Sequence, residues 1–149
     1  MRRRQKYIVI GFLVFMFLAI SALLARGLTG AGTERSKVLA LLEAQARGDA
    51  DAVLAALPAC HAQPACAQVT RERVAELRRP GDVQILTYSP SVRVALTRQT
   101  GTGRVAWRAG SSLPVVQCVR VRRDGPLTGG DVELLSISAP IGGEQSCPG

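Results

Sequence analysis

Four cysteines, Cys60, Cys66, Cys118 and Cys147, are the residues of this chain best suited to covalent chemistry. An even number without a CxxC pair fits disulfides better than a redox-active dithiol or a structural zinc site, both of which favour closer spacing. Four cysteines allow three pairings. Cys60–Cys66 would close the tight loop CHAQPAC, in which Pro64 helps turn the chain, and Cys118–Cys147 would tie the C-terminal tail to a central strand. These are the expected pairs. His61, the one histidine, falls inside the cysteine loop and is expected at the surface. No metal and no cofactor is expected.

General acid–base chemistry would need a positioned acid or base beside a hydrogen-bond donor. Asp82, Tyr88 and Trp107 are the candidates. Asp82 follows Pro80-Gly81 and reads as a turn residue; Tyr88 precedes Ser89-Pro90 and reads as the end of a strand. No histidine–aspartate pair has a convincing spacing, so no catalytic residue is assigned. Two non-covalent features remain. Val94, Leu96, Val105, Trp107, Val119 and Val121, with Tyr88 at the rim, could line an apolar pocket, or they could simply fill a core. Arg93, Arg104, Arg120 and Arg122 alternate along strand-like segments. They could form a basic outer face that meets anionic lipid headgroups or an acidic partner, or an ordinary solvated face.

The elements that must position these residues begin with an apolar run. Tyr7–Ala25, YIVIGFLVFMFLAISALLA, holds no charge over 19 residues. At about 1.5 Å per residue it spans close to 30 Å, the thickness of the hydrocarbon core of a bilayer. Four basic residues precede it and Arg26 follows. That asymmetry puts residues 1–6 in the cytoplasm, a membrane helix at 7–25 and everything after the linker outside. A cleavable secretory signal is the rival, with cleavage before Gly32; its apolar core is usually shorter. Either way the cysteines reach an oxidising compartment.

The formal charge is +8, from 19 Lys and Arg against 11 Asp and Glu. Five of the basic residues, Arg2, Arg3, Arg4, Lys6 and Arg26, bracket the apolar run, which leaves 14 against 11 for the rest. A nucleic-acid partner is therefore not expected, because it would call for the charge on the folded domain.

GLTGAGT at 27–33 reads as a flexible linker, so that a linker over 26–33 joins the membrane helix to a domain at 34–149. Thr33 is expected to cap a helix to Arg47, with Val38, Leu41, Leu42 and Gln45 on one side and Gly48 as its stop. Asp49 caps a second, Ala50–Leu57; a third covers Ala67–Arg79 before Pro80-Gly81 breaks it. The period then changes to two. Strands are expected at Val83–Tyr88, over 92–97, at Arg104–Arg108, Leu113–Arg123 and Val132–Ser138, with Thr100–Gly103 and 124–130 as turns. Helices followed by hairpin-linked strands give an α+β fold with helices on one side of a curved antiparallel sheet.

That layout, and VLALLEAQARGDADAVLAAL at 38–57 in particular, resembles the nuclear-transport-factor-2-like superfamily, the cone-shaped fold shared with SnoaL-like proteins. The resemblance covers about residues 33–141 and implies a cone-like sheet under helices. Membrane-anchored members include scaffold domains of conjugation machines and of actinobacterial lipid-import systems. By that resemblance the expected role is a non-enzymatic, membrane-tethered interaction domain with an envelope protein as partner. A binder or isomerase-like enzyme for a small apolar molecule is the alternative. Fold alone does not choose between them.

Overall fold

A computed structural model describes residues 2–90 and 96–148, with side chains over 6–25, 32–90 and 96–148. Four helices precede four strands: α1 (Arg2–Arg47), α2 (Ala50–Ala56), α3 (Pro58–His61), α4 (Pro64–Glu76), β1 (Val83–Ser89), β2 (Gln99–Ala109), β3 (Val115–Arg123) and β4 (Val132–Ile137). The strands form one open antiparallel sheet in the order β1-β2-β3-β4.

Helix α1 is one element of 46 residues. Its first part, Lys6–Ala25, is long and apolar enough to cross a membrane, with a mean hydropathy of 2.9, and none of it is buried by the rest of the chain. The linker expected over 26–33 is helical instead, and Thr33 lies inside the helix rather than capping it. A glycine in a helix costs only about 1 kcal/mol relative to alanine. Helix is already set on both sides here, so propagation across the three glycines needs no new nucleus. Ser36 Oγ donates back to Gly32 O, four residues earlier, at 3.0 Å.

The last part of α1 packs as the apolar spacing predicts: Val38, Leu41, Leu42 and Gln45 are all buried. Gly48 ends the helix at φ +77°, a left-handed conformation that glycine adopts without steric cost. The Asp49 carboxylate then accepts from Ala52 N at 3.0 Å and caps α2. Two departures follow. The cysteine loop contains its own short helix, α3, and α4 starts at Pro64 rather than Ala67. Proline is well suited to the first helical position, where its missing N–H would be unpaired anyway.

In the sheet, alternation sorts the side chains. Val105, Trp107 and Ala109 of β2 and Val115, Gln117, Val119 and Val121 of β3 are buried against α1, α2 and α4. Leu134 and Ile137 of β4 complete that layer. Thr100–Gly103 was expected as a turn but lies within β2, paired with 119–122 of β3. Gly101 and Gly103 are not among the positive-φ glycines, so they are extended backbone rather than turn. The β1–β2 connection instead runs through residues 90–98. Most of the strand expected over 92–97, with Val92, Arg93 and Val94, lies outside the described residues; Leu96 and Thr97 form a bend. At the far end of this hairpin, Gly81 and Gly110 meet backbone to backbone. A Cβ on Gly81 would sit 2.8 Å from Gly110 Cα.

Both disulfides have the expected pairing, Cys60–Cys66 and Cys118–Cys147. The second joins residues 29 apart and folds the tail back over the outer face of the sheet. In the chain-entropy account a loop of that size is worth about 3–4 kcal/mol, the shorter one about 2 kcal/mol. Replacing Cys118 and Cys147 by serine should therefore lower stability by about 3–4 kcal/mol in denaturant titration, more than the same change at Cys60 and Cys66. Equal losses from the two pairs would contradict this ranking.

Candidate interaction surface

Two buried polar clusters anchor the sheet to α1. Near the start of the packed part of α1, Glu34 is fully buried and forms an ion pair with Arg123, whose side chain is 4% exposed. Tyr88 donates its hydroxyl to the same carboxylate. Burial, then the Glu34 carboxylate, holds the Tyr88 phenol far above its ordinary range, in its neutral, donating form. Deeper in, Gln117 Oε1 accepts from Trp107 Nε1 at 2.8 Å and from Gln45 Nε2 at 3.1 Å, while Gln117 Nε2 donates to Ser138 O at 2.9 Å. Every polar atom of the Gln117 side chain is thereby engaged, as a buried amide requires.

These contacts decide the fate of the pocket candidates. Trp107, Val105, Val119 and Val121 are fully buried in the packed core. Leu96 is 62% exposed on a loop, Tyr88 is held by Glu34, and Val94 lies outside the described residues. The structure does not bring Leu96, Trp107, Tyr88 and Val119 together as one cavity wall. The candidate acid–base residues are equally scattered. Asp82 is exposed at the start of β1, where its carbonyl accepts from Gly110 N, and His61 is exposed at the end of α3. Among the described residues, no three His, Cys, Asp or Glu side chains gather as a metal site would require.

The arginines fare differently. Arg104, Arg120 and Arg122 share the outer face of the sheet with Arg108. Register sets Arg104 opposite Cys118, Arg120 opposite Thr102 and Arg122 opposite Thr100. Arg93 lies outside the described residues. Glu133 is the one acidic residue in the four strands, and it pairs with Arg122. Arg108 reaches Gln84 at 3.2 Å, and Arg104 donates to the carbonyl of Gly143 in the folded-back tail. Among the described residues Arg120 has no ion-pair partner.

Arg120 also enters a groove of about 620 Å³ between the outer sheet face, the β4 edge and α4. A cross-strand row, Thr102–Arg120–Ser136, forms its floor, and Val69, Thr70 and Arg73 form the α4 wall. Arg73 is held in place by a 3.0 Å bond to Ile137 O. Among the described residues the lining includes two guanidinium groups and no Asp or Glu, and each disulfide contributes a cysteine to it, Cys66 on one wall and Cys118 on the other. Such a groove suits a carboxylate or another anion that accepts two or more N–H bonds.

Comparison with protein-family profiles, with curated proteins and with solved structures gave no match to this chain.

Proposed function

We propose that this chain is a single-pass, membrane-tethered interaction domain outside the cytoplasm, an accessory or scaffold subunit of a cell-envelope assembly. Its N-terminus lies in the cytoplasm and its basic sheet face receives an acidic protein segment. The observation that carries this reading is the four arginines that β2 and β3 set on the outer face against one strand glutamate, with a groove at its edge that holds no Asp or Glu among the described residues. Charge of one sign on one face steers an oppositely charged partner and fixes its register. The apolar helix Lys6–Ala25 supports the tether, and the two disulfides support an oxidising compartment. Helices ahead of an antiparallel meander support keeping the nuclear-transport-factor-2-like superfamily as the fold proposal. The filled core, with Trp107 at its centre, favours a binding surface over a small-molecule cavity.

The test is a triple substitution, Arg104→Ser, Arg120→Ser and Arg122→Ser, in the full-length protein extracted from its own membranes. Exposed and half-exposed charge contacts are worth up to about 1 kcal/mol each, so three should weaken partner binding by about tenfold to a hundredfold, with Arg120, the one without an ion-pair partner among the described residues, contributing most. The wild-type complex should also weaken with added salt, while far-UV circular dichroism of the variant stays native. Unchanged co-purification of the partner with the triple variant would sink the basic-face reading.

A further inference from the structure

We infer that residues 96–98, ahead of β2, and the β3–β4 turn at 124–128 form a second membrane contact, with Leu96 and Leu127 resting in the lipid headgroup layer beside the point where α1 enters the bilayer. This rests on the tethered reading of α1. Glu34, the first buried position of α1 among the described residues, is fastened to Tyr88 near the end of β1 and to Arg123 at the end of β3. The β3–β4 turn that follows Arg123 therefore lies at the end of the domain from which the apolar part of α1 departs.

Residues 97 and 98 are joined to that turn. Gly125 N donates to Thr97 O at 3.2 Å, and Arg98 Nε bonds Asp124 Oδ1 at 2.7 Å. That pairing, led by the hydrogen bond from Arg98, holds the Asp124 carboxyl below its ordinary range. Residues Gly125–Thr128 form a tight turn, closed by Thr128 N on Gly125 O at 2.9 Å, with Leu127 at its tip. Leu127 is 65% exposed and Leu96 62%, so a shared end presents two large apolar side chains to the outside.

The reach agrees with this placement. From Ala25, where the apolar segment ends, to Glu34 the helix rises about 13 Å. Leu127 lies four residues beyond Arg123; the two steps before the Gly125–Thr128 turn advance about 7 Å, and the turn carries the tip onward. The headgroup layer adds about 5–7 Å on each side of the hydrocarbon. The tips thus fall at the depth of the headgroups, where isolated apolar side chains are stabilised by partial removal from water.

The experiment places the full chain in nanodiscs of phosphatidylcholine with or without bromine high on the acyl chains, and compares Leu96→Trp and Leu127→Trp with the wild type. Trp107 in the core provides the background emission. Both variants should lose added emission in brominated lipid, while wild-type emission is unaffected. The unsubstituted chain, exposed to a lipid carrying a photoactivatable diazirine at the same depth, should be labelled on residues 96–98 and 124–128. Absence of quenching at either position in a folded variant, or labelling confined to residues 6–25, overturns the proposal. The intact mass of protein from native membranes separates the two readings. Loss of residues 1–31 removes the tether and this contact together, whereas a full-length chain with unquenched tips overturns this contact alone.

Discussion

Glu34→Ala should destabilise the domain by about 3–5 kcal/mol, because it leaves the Arg123 guanidinium buried without its counter-charge. Both partners are at most 4% exposed, so water cannot replace the lost carboxylate. Two Arg123 nitrogens, Nε and Nη1, already lack a hydrogen-bond partner among the described residues, so the Nη2–Glu34 contact carries the compensation. For a domain of about 115 residues the loss corresponds to a fall in Tm of about 10–20 °C. Tyr88 would lose its acceptor in the same step. A second variant separates the ion pair from simple packing. Replacing both partners with apolar residues, Glu34→Leu with Arg123→Met, should recover most of the stability, since a buried ion pair adds little over a well-packed apolar one. Thermal melts of the three proteins decide this. A Glu34→Ala variant within about 1 kcal/mol of wild type would mean that Arg123 reaches solvent or another acid.

Trp107→Ala should cost a further, independent 3–5 kcal/mol, the usual range for removing a large aromatic side chain from a core. The indole is fully buried and touches both layers of the fold, and its N–H is one of two donors on Gln117 Oε1. Trp107→Phe should lose less, keeping most of the volume while giving up the hydrogen bond, worth about 1 kcal/mol. Trp107 is the sole tryptophan, so unfolding must be followed by circular dichroism in a urea titration, with an unchanged m-value as the sign of a purely local loss. The same variant discriminates between functions. Native stability coupled with loss of a bound small molecule would make Trp107 a pocket wall and revive the carrier or enzyme alternative.

What was legible in the sequence was governed by local rules. Gly48 and Asp49 punctuate the helices because a left-handed stop and a carboxylate cap act within a few residues. Val105 and Trp107 share the inner face because strand alternation has a period of two. The cysteine pairing followed from loop size and tail position. What escaped was long-range or depended on context. The Glu34–Arg123 pair joins residues 89 apart, and nothing near either residue marks it. Glycines misled twice in one way. In 27–33 and in 100–103 they suggested linker and turn, but flanking helix in one case and a neighbouring strand in the other impose regular structure that glycine tolerates. The basic face was legible only in part: alternation identified Arg104, Arg120 and Arg122, but Arg73, on the α4 wall of the groove, carries no sequence signal that relates it to a strand.

The disulfide order has a consequence for biogenesis. The first cysteine pairs with the second and the third with the fourth. With α1 as the tether and the domain translocated from its α1 end, as proposed above, Cys60 and Cys66 would emerge together and could be closed by an oxidase before Cys118 appears. Cys118 then meets only Cys147 as a free thiol. Under that proposal, oxidation in order of emergence would yield the native bonds directly, without an isomerase to correct scrambled pairs.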